Sequence, residues 1–209
     1  MPGIAANLQA VRARISAAER EAGRKPGEVS LLAVSKMWPI ADVRAAVAAG
    51  QRAFGENYLQ EGIDKLGALA DLVGLEWHFI GPVQSNKTRL IAQHFQWVHA
   101  IDRLKIAQRL AEQRDVHLPP LQVCLQVNVS GEASKSGIMP SALHELVSSV
   151  AVLPRLKLRG LMCIPEPTAD QTLLRSRFRL LRELRDSAIC QTGVDMDTLS
   201  MGMSNDFDV

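Results

Sequence analysis

Leu31-Leu32-Ala33-Val34-Ser35-Lys36-Met37-Trp38-Pro39 is an apolar run that ends in a lysine and passes at once into a helical pattern. A short apolar run reads as a buried strand, and a helix directly behind it makes a β-α unit. In doubly wound sheets that bind dinucleotides the first such turn is rich in glycine, and Ser35-Lys36-Met37-Trp38-Pro39 has none. The turn favours a barrel, where functional groups collect at the C-terminal ends of the strands. Lys36 stands at such an end. A partly desolvated lysine favours its neutral form, and a neutral amine attacks aldehydes and ketones.

Outward from this unit, strand-like and helix-like segments alternate. An amphipathic helix is expected over residues 4–23. Strands are expected at 31–35, 52–56, 76–81, 96–101, 121–129, 156–164 and 198–203, and helices near 40–49, 58–72, 86–94, 102–114, 140–152 and 170–190. Ser85 and Asp102 occupy N-cap positions, and Gly50 stands where a helix should stop. Alternation with apolar strands argues a parallel sheet covered by helices or closed into a barrel. Seven strands are visible where a (β/α)8 barrel needs eight, which leaves an open sheet or a barrel without its last strand and helix.

Composition narrows the function. With 209 residues, 47% of them hydrophobic, the chain can bury one substantial core, so a single domain over 1–209 is expected. The 24 basic and 22 acidic residues form no long run of one sign, and aromatic residues make up only 4%, which argues against nucleic-acid and membrane partners. The N-terminus alternates apolar and charged residues at helical spacing instead of showing a signal-peptide core, so a cytoplasmic protein is expected. Cys124, Cys163 and Cys190 are far apart and in no metal-ligand spacing; each is expected to be a small buried hydrophobe, with no metal site.

The strand ends carry the candidate chemistry. Ser200-Met201-Gly202-Met203-Ser204-Asn205 has small residues where the backbone must turn and two hydroxyls, with Ser204 placed to cap a following helix. Free N–H groups and a helix dipole at such a place favour a bound anion, and the loops after strands seven and eight are the usual barrel phosphate site. A plain turn at Gly202 and a plain cap at Ser204 explain the same residues without a ligand. A reactive lysine and a phosphate site at one barrel mouth together describe a pocket for pyridoxal 5'-phosphate, an aldehyde carrying a phosphate.

The segments LLAVSK, FGENYLQE, EWHFIGPVQSNK, LRGLMCI and LSMGMSNDF, in order and at consistent spacing, resemble the YggS/PROSC family, the pyridoxal phosphate homeostasis proteins. The resemblance implies a TIM barrel of fold type III, similar to the N-terminal domain of alanine racemase, with an additional N-terminal helix. It implies that Lys36 forms a Schiff base with pyridoxal phosphate and that Ser200, Gly202 and Ser204 hold the phosphate, with Met201 among the cofactor-binding residues. Asn57 and His78 match family positions near the pocket; a helix N-cap and a core histidine are their alternative roles. Gln84, Ser85, Asn86 and Lys87 are placed at the rim, and Lys135 is a candidate second amine at the mouth. Members of the family continue past Val209 with an eighth strand, so the last strand and helix are expected to be missing here.

In the alanine racemase relatives the second base is a tyrosine from a separate C-terminal domain of the partner subunit. Here Tyr58 is the single tyrosine, expected to be packed inside a helix start. The implied function is therefore a non-catalytic carrier, expected to be monomeric. It would buffer pyridoxal phosphate and deliver it to apoenzymes, a task in vitamin B6 homeostasis. The alternatives are a pyridoxal-phosphate-dependent racemase or decarboxylase, and a Schiff-base aldolase acting on a sugar phosphate.

Overall fold

The computed structural model describes residues 3–131 and 136–209. In chain order it contains α1 (Ile4–Glu21), β1 (Ala33–Val34), α2 (Ile40–Ala48), β2 (Ala53–Glu56), α3 (Leu59–Ala68), β3 (Glu76–Phe79), α4 (Thr88–His94), β4 (Trp97–Ile101) and α5 (Leu104–Gln113). There follow β5 (Leu121–Gln126), a 3-10 turn (Pro140–Ala142), α6 (Leu143–Ala151), β6 (Leu156–Met162), α7 (Gln171–Thr192) and β7 (Thr198–Ser200). The sheet order is β1-β2-β3-β4-β5-β6-β7, the order of the chain. Every strand and helix anticipated from the periodicity is present, and the strands are shorter. β5 shows why: Asn128 Oδ1 accepts from Ser130 and Gly131 N–H at 3.2 and 3.1 Å, a side-chain turn that draws the chain out of the ladder before residue 129.

The chain forms two compact units, Met1–His78 with Gly202–Val209, and Phe79–Met201. In the first, β1 and β2 pair in parallel with Ala33 opposite Phe54 and Val34 opposite Gly55. Phe54 packs on Trp77 with ring centroids 5.5 Å apart. α1 is tied to the end of α2 by Arg12, whose guanidinium donates to Ala49 O at 3.1 Å and to Gln51 Oε1 at 3.0 Å. Arg14 pairs with Asp208 at 2.7 Å and lies over the Phe207 ring. Gly50 ends α2 as expected, at φ +86°.

In the second unit β4, β5, β6 and β7 pair in parallel. Val98, Ile101, Val123, Leu125 and Leu161 are fully buried, the mark of strands covered on both faces. Gly160 lets β6 and β7 approach: a Cβ there would overlap the backbone carbonyl of Thr198. α7 is capped at both ends. Asp170 accepts from Thr172 and Leu173 N–H, and Gly193 closes the C-terminus at φ +69°.

Some local expectations are corrected. α4 and α5 begin after Lys87 and Arg103, without side-chain caps. Ser85 contributes its carbonyl, which accepts from Thr88 Oγ1 at 2.9 Å and Arg109 Nε at 3.0 Å, while the Asp102 carboxylate pairs with Arg103. A distant arginine, Arg109, thus engages Ser85, and the neighbouring Arg103 takes the carboxylate that local spacing assigns to a cap. Cys124 and Cys163 are buried, but Cys190 is exposed because it lies on the outer face of α7. Burial pushes the Cys124 thiol up to about 12, so it stays protonated and inert.

Candidate functional site

Lys36 lies two residues beyond the short β1 and is exposed, while Ser35 before it is buried. Met37 after it holds φ +64°, the left-handed region that a non-glycine residue enters only at a cost. Its side chain and that of Trp38 face outward, 80% and 57% exposed.

What holds this turn is a group of charged residues that sequence reading did not select. Glu56, the last residue of β2, is fully buried. Its Oε1 accepts from Ser35 Oγ at 2.6 Å and from Lys65 Nζ at 2.9 Å. Lys65, on α3, also donates to Ser35 O at 2.5 Å and to Glu61 Oε1 at 2.7 Å. Glu61 Oε1 in turn accepts from Met37 N–H at 2.5 Å. Burial is the largest effect on Glu61 and raises its pKa, but the bonds from Lys65 and Met37 together outweigh it and hold the carboxyl below its ordinary value. A signal existed: Gly62, Lys65 and Leu69 are spaced three and four apart, so Lys65 stands on the core-facing stripe of α3.

Asn57 is no N-cap, since α3 starts after Tyr58 without a side-chain cap. Its Oδ1 is buried with no hydrogen-bond partner among the described residues, as is Glu56 Oε2. Two buried acceptors at the end of one strand are costly unless a donor arrives. His78, on β3, is buried with Nε2 3.2 Å from Oε1 of Glu76, two residues back on the same strand face. Tyr58 is exposed, not packed, because it precedes α3 on the outer side of the turn.

At the end of β7, Ser200 Oγ lies 2.7 Å from Nδ1 of the buried His99 on β4, and Ser200 O accepts from Cys163 N–H. Met201 is exposed. Gly202 takes φ +88°, and a Cβ there would press within 3.2 Å of Phe207 Cα. Residues 204–208 form turns instead of the helix expected behind Ser204, and the capping carboxylate is that of Asp206, which accepts from Met203 N–H. The amides of Gly202 and Ser204 have no acceptor among the described residues. Exposed Gln84, Asn86 and Lys87 lead into α4, and Lys135 lies outside the described residues. Among the described residues no three His, Cys, Asp or Glu side chains are grouped to hold a metal, and no helix is long and apolar enough to cross a membrane.

The donor sets fit an aldehyde that carries a phosphate. An exposed amine stands at a strand end, and a glycine turn offers the hydroxyls of Ser200 and Ser204 and two amides without an acceptor among the described residues.

Comparison with known proteins agrees. The family model for the alanine racemase N-terminal domain matches residues 6–207. The pyridoxal phosphate homeostasis protein of Pseudomonas aeruginosa is 61% identical over 208 residues, covering 100% of this chain and 88% of that protein. The Escherichia coli K12 protein of the same name is 52% identical over 215 residues, covering 100% of this chain and 89% of that protein. PipY of Synechococcus elongatus, solved with PLP bound, superposes with a TM-score of 0.82 at 34% identity, covering 94% of this chain and 91% of that one. With seven strands in chain order among the described residues, a lysine behind the first and a glycine turn behind the last of them, this chain belongs to the pyridoxal phosphate homeostasis proteins, an α/β family of fold type III built on the alanine racemase N-terminal domain.

Proposed function

We propose that this chain binds pyridoxal 5'-phosphate as a Schiff base on Lys36 and serves vitamin B6 homeostasis as a carrier, buffering the free aldehyde and delivering it to apoenzymes. When bound, the cofactor supplies an electrophilic carbon that an amine can capture reversibly and a second amine can take over. The observation that carries the reading is the exposed Lys36 at the C-terminal end of β1, in a family whose PipY member is solved with PLP bound.

The chain's residues take these roles. Lys36 Nζ is the capturing amine. Ser200, Gly202 and Ser204 hold the phosphate through hydroxyls and the amides of the turn, with Met201 beside them at the cofactor. Asn57 supplies a buried acceptor to a cofactor donor, and His78 lines the site from β3. Delivery requires that another amine reach the bound aldehyde, and exposure of Lys36 suits that exchange. Turnover of an amino acid would require a positioned acid or base besides the lysine. Tyr58, more than half exposed, is not held for that work. The protein is proposed to act without catalysis, as a monomer in the cytoplasm.

The test is a spectrum of the protein with added pyridoxal 5'-phosphate, followed by borohydride reduction and peptide mass mapping. A pyridoxyl adduct on Lys36, absent in Lys36→Ala, is the expected result. Reduction that labels another lysine, or none, in folded protein would sink the reading. Racemisation or decarboxylation of an amino acid that tracks the protein and vanishes in Lys36→Ala would replace the carrier by an enzyme.

A further inference from the structure

We propose that Glu61, Lys65 and Glu56 are positioning residues for the Lys36 amine: they grip the peptide groups on both sides of Lys36, so that the amine is set in place before the aldehyde arrives. This inference rests on the reading of Lys36 as the cofactor amine.

The grip is symmetric about Lys36. On the N-terminal side, Ser35 O accepts from Lys65 Nζ at 2.5 Å and Ser35 Oγ donates to Glu56 Oε1 at 2.6 Å. On the C-terminal side, Met37 N–H donates to Glu61 Oε1 at 2.5 Å. The same Lys65 ammonium joins both carboxylates, at 2.9 Å to Glu56 and 2.7 Å to Glu61, so the two sides move as one. The sheet alone does not hold this position. β1 has two residues, and the ladder ends with Ser35 N–H donating to Gly55 O. The grip also explains how Met37 keeps φ +64°, since its N–H is committed to a carboxylate.

The chemistry of the residues points the same way. Burying an ammonium and a carboxylate to 5% and 0% exposure costs desolvation, and a well-packed apolar pair would hold α3 to the strands as firmly. What ions add is direction: charge-assisted bonds fix a carbonyl and an amide at defined places. Capture is a condensation in which the Lys36 Nζ–carbon double bond forms and the aldehyde oxygen leaves as water with both hydrogens of the neutral amine. It requires the amine at a defined distance and angle, so fixing the backbone beneath it favours capture over loose binding.

A structural role alone would weaken all binding equally, and two probes separate these cases. Pyridoxal 5'-phosphate can be captured; pyridoxine 5'-phosphate shares ring and phosphate but has no aldehyde. Lys65→Met strips the partner from buried Glu56 and endangers folding, so Glu61→Leu, at a side chain 27% exposed, is the main variant, with Ser35→Ala as the second. In folded Glu61→Leu the apparent affinity for pyridoxal 5'-phosphate is expected to fall about tenfold, while that for pyridoxine 5'-phosphate stays within about twofold. Glu61→Gln, whose amide oxygen still accepts from Met37 N–H, is expected to recover most of the loss. Equal losses for both probes, or unchanged capture in folded Glu61→Leu and Ser35→Ala, would overturn the positioning role. Wild-type protein that forms no adduct on Lys36 would instead reject the reading beneath it.

Discussion

Lys36 was legible from the chain because a strand end is a local signal: an apolar run, then an amine, then a turn. Lys65 was not. Beside Glu61 it reads as an ordinary exposed pair four residues apart, and only folding brings it to Ser35, thirty residues away. Asn57 likewise reads as a cap until α3 is seen to start without it. The state of Glu61 should be visible in acid. Its carboxyl titrates below the ordinary value of 4.5, so it contributes stability that is present above that value and lost as pH falls through the folded one. Urea midpoints of wild type and Glu61→Gln, followed from about pH 5 to about pH 3, should converge as the wild-type advantage disappears. A constant difference across that range would mean that Glu61 titrates as a free carboxylate.

The helices and strands were read with small errors at their ends, because spacing of apolar residues survives in the sequence while capping partners do not. α7 is the clearest case of agreement, with Asp170 at its start and Gly193 just beyond its end. Asp170→Ala removes an acceptor shared by two N–H groups and should cost about 1 kcal/mol in chemical denaturation. At α4 and α5 the helices begin later than the spacing suggests, after Lys87 and Arg103; Asp102 pairs with its neighbour Arg103, and the Ser85 carbonyl accepts from the distant Arg109. Gly160 has no local explanation in β6. It is a glycine because β7 lies against it, so Gly160→Ala should cost about 2 kcal/mol or more and disturb the strand that presents Ser200. An unchanged denaturation midpoint would show that β7 shifts freely.

For the protein in full, one cooperative domain over residues 1–209 remains our expectation. Circular dichroism and tryptophan fluorescence should give one coincident urea transition, with Trp38 and Trp77 reporting on one compact unit and Trp97 on the other. Two separated transitions would divide the chain. Pyridoxal 5'-phosphate at a hundred times its dissociation constant should stabilise the folded state by about 2.7 kcal/mol, seen as a rise in melting temperature. Lys36→Ala should lose most of that rise, and an equal rise in both proteins would place binding elsewhere. The β-α order, the amine behind β1 and the glycine turn behind β7 were all set by residues adjacent in the chain, since period, caps and turns act over a few positions. The buried Glu56-Lys65-Glu61 group, the approach of β6 to β7 at Gly160 and the His99–Ser200 contact were decided by folding alone. Apart from the Glu61–Lys65 pair, which lies one helical turn apart, these join residues far enough apart in sequence that no periodic pattern links them, and the buried Lys65–Glu56 pair forms only once folding removes water as the competing partner.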